Sequence, residues 1–193
     1  MLNAGSGPPG SSRLPEFFEQ WRELRIDVDP DVLPDLVADI TDLSAIPTET
    51  VDAIWSAHCI EHLFLHQITQ ALSEFHRVLK PSGFACLIVP DLQTVANYIV
   101  SDRLDETIYE SASGPVTAHD VLFGFGPAVA QGHIRMAHRC GFTPNSMVHH
   151  FHESRFAEVV LRRRATLELA AVALKTASAT AIERDAILAN LAL

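Results

Sequence analysis

Two groups of residues in this sequence have types and spacings that could do chemistry. The first is Ala4-Gly5-Ser6-Gly7-Pro8-Pro9-Gly10, in which Gly5, Gly7 and Gly10 satisfy GxGxxG, followed by the acids Asp27 and Asp29. Glycines let backbone approach a ligand closely, and an acid about twenty residues further on is placed to accept the hydroxyls of a ribose. The second is His58-Cys59-Ile60-Glu61-His62, which spells HxxEH. On one continuous helix its two histidines would share a face and could ligate a metal, with the glutamate as base. The segment directly follows the apolar run Val51 to Ser56, however, so His58 is expected at a strand end and the metalloprotease reading is set aside. Asp91 after Pro90, and His133 and His138 around Ile134 to Ala137, complete the reactive candidates. His149, His150 and His152 fall on an expected helix and read as partly exposed side chains. Cys59, Cys86 and Cys140 read as packing residues.

The glycine segment admits two adenosine cofactors. A dinucleotide needs backbone N–H donors where the loop enters its helix, to hold the pyrophosphate. Pro8 and Pro9 have none. S-adenosylmethionine carries no phosphate and asks only for close approach of backbone to its methionine and ribose, so the two prolines favour it over the dinucleotide.

The elements that must position these residues follow from periodicity. Leu14, Phe17, Phe18, Trp21 and Leu24 recur at helical spacing. Leu24 to Val28, Leu36 to Ile40 and Val51 to Ser56 read as short strands with acids or polar residues near their carboxyl ends. The stretch from Glu61 to Leu79 places Ile68, Leu72, Phe75 and Leu79 on one stripe, and Pro81-Ser82-Gly83 stops it. Phe84 to Val89 is almost wholly apolar, as in a strand buried on both faces. From Ser101 to Gly141 the rhythm dissolves into a loop-rich insertion. Pro144 to Phe156 reads as a helix, Phe156 to Leu161 and Leu167 to Leu174 as an antiparallel hairpin around Arg162 to Arg164, and Ala177 to Leu193 as a terminal helix. Strands alternating with helices imply a parallel sheet covered on both sides, with ligands at the carboxyl ends of its strands.

Leu2-Asn3-Ala4-Gly5-Ser6-Gly7-Pro8 resembles the first motif of the class I S-adenosylmethionine-dependent methyltransferases, and Asp27 matches the acid after their second strand. The segment Val51 to Leu63 is similar to their fourth-strand segment, followed by the frequent Arg77-Val78-Leu79-Lys80-Pro81-Ser82-Gly83. Within that family the chain most resembles the small methyltransferases of type 11. The resemblance implies an α/β, Rossmann-like, doubly wound and mostly parallel seven-stranded sheet with a C-terminal antiparallel hairpin. It also implies S-adenosyl-L-methionine as cofactor. Carried over, Asn3, Ala4, Gly5, Ser6 and Gly7 would line its methionine and ribose, Asp27 and Val28 the ribose, Asp39 and Ile40 the adenine, and Ser56 and Ala57 the methionine. Asn3 stands where the family commonly has an acid. His58 and Asp91, at the ends of adjacent strands, are the candidate bases for a hydroxyl or ammonium acceptor, with His138 behind them. No metal site is assigned. The end of HxxEH also resembles a cation-binding segment of some quinone-pathway O-methyltransferases, but His58 replaces its first acid, which leaves a divalent cation near Glu61 and His62 an open question.

Composition bounds the rest. With 193 residues, 48% of them hydrophobic and 20% charged, the chain is one globular domain, able to bury roughly 70% of its unfolded surface without a staple. The domain is expected over 1–176, including the insertion at about 101–141, with 177–193 as the terminal helix. A net charge of −10 argues against a nucleic-acid partner, and three widely spaced cysteines suit a reducing compartment. No apolar run is long enough for a membrane, so the expectation is a cytoplasmic enzyme acting on a small or flexible acceptor. Because the sequence opens directly on the first strand, where relatives usually have a covering helix, either the terminal helix or a second subunit is expected on that side. The competing readings are a non-catalytic cofactor-binding scaffold and, further off, an NAD-dependent oxidoreductase.

Overall fold

The computed structural model describes residues 1–10, 14–177, Asp185, Ile187 and Ala189. The strands and helices, in chain order, are β1 (Leu2–Ala4), β2 (Leu24–Asp27), β3 (Leu36–Val37), β4 (Val51–Ala57), α1 (Leu65–Val78), β5 (Leu79–Pro90), α2 (Leu92–Val100), β6 (Thr107–Ser111), β7 (Gly114–Thr117), α3 (Ala118–Phe123), α4 (Gly126–Ala130), α5 (Pro144–Glu153), β8 (Glu158–Arg164) and β9 (Glu168–Leu174). Seven strands form one sheet in the order β3-β2-β1-β4-β5-β9-β8. Pairing is parallel from β3 through β5, and β9 is antiparallel to both β5 and β8. This is the doubly wound architecture with a closing hairpin that the sequence predicts. The order reverses between β1 and β4, so the crevice for a ligand lies outside their carboxyl ends.

Alternation along the central strands sorts side chains between two faces. One face carries Leu2, Ala4, Ile54, Ala85, Leu87, Val89 and Ala171, all buried against Ile68, Leu72 and Phe75 of α1 and Met147 and Phe151 of α5. The other carries Trp55, Phe84, Cys86, Ile88, Val172 and Leu174, capped by Phe17, Phe18 and Trp21. Those rings sit edge-on or tilted against one another, and against Phe84, Phe17 is tilted, Trp21 edge-on and Phe18 stacked.

The expected helix through residues 14–24 is instead a single 3-10 turn, Glu16–Phe18. Apolar spacing that suggests a helix is here satisfied by a ring cluster, with the chain bonded back into the sheet at once by Leu24 N–H to the Met1 carbonyl, 2.9 Å. Ile187 also packs on this face. Most of the expected helix Ala177 to Leu193 lies outside the described residues; Asp185, Ile187 and Ala189 are helical.

Other boundaries shift for identifiable reasons. α1 begins at Leu65 rather than Glu61, because Ile60–His62 form a separate 3-10 turn. Arg162 to Arg164 lie within β8, not in the hairpin turn, since Arg164 pairs with Glu168 and leaves only three residues to turn. As the edge strand, β8 gains from these exposed charges protection against further pairing. The insertion is more ordered than its composition suggests. It contains the β6–β7 hairpin, α3 and α4, with Val116, Val121, Tyr109 and Phe125 packed around Val95 of α2 and Leu167. Among the described residues no helix is long and apolar enough to cross a membrane.

Candidate functional site

At the end of β1 the backbone turns through Gly5 (φ +71°) and Gly7 (φ +59°), conformations that L side chains rarely adopt. Gly5 and Ser6 both donate N–H to the Ile26 carbonyl at 3.0 Å, and Gly7 N–H donates to Asp27 Oδ2 at 2.9 Å. The second Asp27 oxygen accepts from Asp29 N–H at 3.0 Å. The Arg25 guanidinium clamps the turn from below, donating to the carbonyls of Gly7 (2.5 Å) and Leu33 (2.8 Å). A Cβ at Gly5 would lie 2.4 Å from Cys59 Sγ, so glycine is required there for space as well as for φ. The two sequence motifs are thus packed against each other.

The other cofactor candidates spread around this turn. Asp39, exposed beyond β3, holds Thr41 through its Oδ1 oxygen, and Ile40 beside it is buried. Ser56 Oγ, at the end of β4, is buried with no hydrogen-bond partner among the described residues, next to half-buried Ala57. Val28 is exposed just past β2. Asn3 differs: its amide donates to Glu23 Oε1 at 2.7 Å, at the entry of β2 and away from the carboxyl ends, so only its backbone is left for a ligand. Each carboxylate oxygen of Asp27 can accept a further hydrogen bond. With the unsatisfied Ser56 hydroxyl and the open glycine backbone, these residues fit an adenosine-bearing ligand.

The expected bases are placed less simply. His58 itself has φ +52° and continues the ladder with its N–H to the Ile88 carbonyl at 2.9 Å. Its ring lies between two carboxylates, Nδ1 3.4 Å from Glu61 Oε1 and Nε2 3.0 Å from Glu168 Oε1. Burial opposes a charged ring, but the Glu168 and Glu61 carboxylates outweigh it and push His58 up to about 10. A ring held between two carboxylates favours its protonated form, and this bears on the expected role of His58 as base.

Asp91 is fully buried at the N-cap of α2. It accepts from Gln93 N–H (3.0 Å), Thr94 Oγ1 (2.7 Å) and Arg163 Nε (2.8 Å), while the same guanidinium donates to Gln93 Oε1. Those bonds cap α2 and pair Asp91 with Arg163.

His138 alone of the three keeps an available nitrogen. Its Nδ1 donates to the Val121 carbonyl at 3.1 Å, burial lowers its pKa so that the ring is neutral, and it lies 5.0 Å from the ring of His62. Glu61, 0% exposed, stays ionised: burial would raise its pKa, but the charge of His58 more than reverses this. Because Ile60–His62 is a 3-10 turn, His58 and His62 share no helix face, and the metalloprotease arrangement is absent.

The insertion closes over this region. Arg139 and Cys140 N–H both donate to the Glu61 carbonyl, His138 N–H donates to the Phe123 carbonyl, and Arg135 reaches within 3.9 Å of Asp29. Exposed Val28, Phe123, Ile134 and Met136 border it, whereas His133 is exposed at the start of a 3-10 turn. Glu168, Arg25 and Arg163 were not legible as site residues. Glu168 and Arg163 act through partners remote in sequence, 110 positions away for Glu168 and His58 and 72 for Arg163 and Asp91, whereas Arg25 acts on backbone carbonyls within 18 positions.

Residues 10–87 match the methyltransferase domain family, a span that takes in Asp27, Asp39 and the HxxEH segment and begins after the Gly5 turn. No curated protein matches in sequence. Among solved structures, the PH0226 protein from Pyrococcus horikoshii OT3 aligns with a TM-score of 0.60 at 16% identity, over 90% of this chain and 80% of the other. An S-adenosylmethionine-dependent methyltransferase from Archaeoglobus fulgidus aligns with 0.56 at 13%, over 89% and 84%. A TehB-like S-adenosylmethionine-dependent methyltransferase from Corynebacterium glutamicum gives 0.52 at 18%, over 91% and 79%. At such identities the structural likeness speaks to fold. The chain thus has the fold of S-adenosylmethionine-dependent methyltransferases, and its residues 10–87 are similar to the methyltransferase domain family.

Proposed function

We propose that this chain binds S-adenosyl-L-methionine at the carboxyl ends of β1, β2 and β4 and transfers its methyl group to a small or flexible acceptor. The observation that carries the reading is the Asp27 carboxylate, held by Gly7 and Asp29 N–H beside the open glycine turn. Bound there, the cofactor supplies a sulfonium-activated methyl group. The chain's own contribution is then placement. Asp27 accepts the ribose hydroxyls, Asp39 and Ile40 border the adenine, Gly5 and Ser6 offer close backbone, and Ser56 and Ala57 flank the methionine. Holding an acceptor in line at about 3 Å supplies much of the rate. The apolar rim of Val28, Ile134 and Met136 suits an acceptor with an apolar body. His138 contributes a lone pair, and the His58 imidazolium a fixed positive charge.

One observation favours a second reading, a scaffold that binds cofactor without turnover: two of the three expected bases, His58 and Asp91, are held in ion pairs. Titration calorimetry with S-adenosylmethionine, followed by a search for methylated product in cell extract, separates the two. The methyl-transfer reading expects both binding and product, whereas the scaffold expects binding alone. Asp27→Ala is expected to weaken binding about 10- to 100-fold, the loss of charge-assisted hydrogen bonds of about 1.5–3 kcal/mol. An unchanged dissociation constant would refute the placement.

A further inference from the structure

The carboxylate of Glu61 is anomalous. It is 0% exposed, yet neither oxygen has a hydrogen-bond partner among the described residues. A buried carboxylate without donors is costly, and such orphans are rare in native folds. His58 relieves the charge only in part, since its Nδ1 stands 3.4 Å away and makes no hydrogen bond to either oxygen.

What faces Glu61 is equally specific. One ligating atom from each of Glu61, His62 and His138 lies within 4.8 Å of the other two. His62 Nδ1 is 3.2 Å from the Ala137 carbonyl, and His138 Nδ1 is 3.1 Å from the Val121 carbonyl. A carbonyl only accepts, so each Nδ1 must carry the hydrogen, and in the neutral ring Nε2 is left with a bare lone pair. Imidazoles that ligate metals are oriented in this way, with the other ring nitrogen donating to a carbonyl. Three side chains that can each offer an electron pair thus converge, and the carboxylate among them has no hydrogen-bond donor among the described residues.

We propose that Glu61, His62 and His138 form a divalent-metal site, and that its ligand is zinc. Two imidazoles and one carboxylate make up a donor set that zinc accepts, whereas magnesium and calcium prefer all-oxygen shells. A tetrahedral shell with bonds of about 2.1 Å separates its ligands by roughly 3.4 Å, so the three groups, now within 4.8 Å, would draw closer on binding. His58 is not a member, so this is not the HxxEH arrangement. The third ligand comes from the insertion, 77 positions beyond Glu61 (138 − 61), and is brought there by the Arg139 and Cys140 N–H bonds to the Glu61 carbonyl. A zinc ion there takes the His138 lone pair offered above to the acceptor, so this site would replace His138 as base; zinc binding itself is tested without methyl transfer.

The experiment is zinc titration of chelator-treated full chain by calorimetry, with metal content measured after gel filtration. One zinc per chain is expected, unaffected by millimolar magnesium, together with a rise in thermal midpoint that grows with zinc concentration. Glu61→Gln, which keeps the side-chain volume, and His138→Ala are each expected to weaken zinc binding at least tenfold and to abolish the visible absorption of the cobalt-substituted protein. His149→Ala, on the exposed face of α5, is expected to bind zinc like the parent. Failure of the folded parent chain to take up stoichiometric zinc overturns the proposal. So does retention of full affinity in both site variants, or its loss in His149→Ala.

Discussion

The two halves of the site are built in opposite ways. On the β1–β2 side the ligand-facing groups are held mostly by backbone: Gly5 and Ser6 on the Ile26 carbonyl, and Gly7 and Asp29 on Asp27. Every partner lies within about twenty residues, and the conformation is dictated by two glycines at positive φ. On the β4–β5 side the groups are side chains that hold one another. Glu61 and Glu168 confine His58, Arg163 confines Asp91, and carbonyls of the insertion orient His62 and His138. The first half is a cradle fixed by its backbone, and the second is a charge assembly in which each side chain depends on its partners. Under the proposed function the first would hold the cofactor and the second would meet the acceptor.

The sharpest test of this contrast is Gly5→Ala. It places a Cβ at 2.4 Å from Cys59 Sγ on a backbone of φ +71°, and is expected to cost about 2–4 kcal/mol by chemical denaturation and to remove cofactor binding. Adding Cys59→Ala should return the part due to the clash but not the part due to φ. Full recovery in the double variant would show that the turn is not held by backbone conformation.

A smaller effect is expected on the side-chain half. Removing one of the two acids with Glu168→Gln should lower the pKa of His58 by at least one unit, followed by ring-proton NMR, while leaving the fold intact. The sign of the pH dependence follows from the same geometry. The folded pKa of His58 is raised from 6.5 to about 10, so its contribution is fully present below 6.5 and is lost as pH rises through about 10. Glu61 and Glu168 are shifted the other way, and theirs is lost as pH falls through their lowered values. Parent-chain stability should therefore decline between pH 6.5 and 10 more steeply than that of Glu168→Gln. Parallel curves would mean that His58 is not held by Glu168.

The least effect is expected from Arg135→Ala, because its 3.9 Å approach to Asp29 is a solvent-exposed pair. A change within about 0.5 kcal/mol is anticipated. A larger loss of stability would show that the insertion is locked to the cofactor half and that the two halves act as one.

Where the sequence was legible, the determining contacts were local or periodic. The alternating strands, the stripe of Ile68, Leu72 and Phe75, the Gly5–Gly7 turn and Asp27 could be read because each depends on neighbours a few residues away or on a repeat imposed by the sheet. Periodicity misled at Phe17, Phe18 and Trp21, where ring packing on Phe84 satisfied the same spacing without a helix. The partner of the Asn3 amide, Glu23, was not legible, because it is set by the entry into β2 and not by the strand position of Asn3.

Sequence by itself thus determined the sheet, the glycine turn and the identity of the acid at the end of β2, since these follow from backbone conformation and side-chain period. Only the tertiary structure decided the protonation of His58, the capping role of Asp91 and the convergence of Glu61 with His62 and His138. Charge state depends on what stands within a few ångströms, and no spacing rule joins residues 58 and 168 or 61 and 138 until the hairpin and the insertion have folded onto the strand ends.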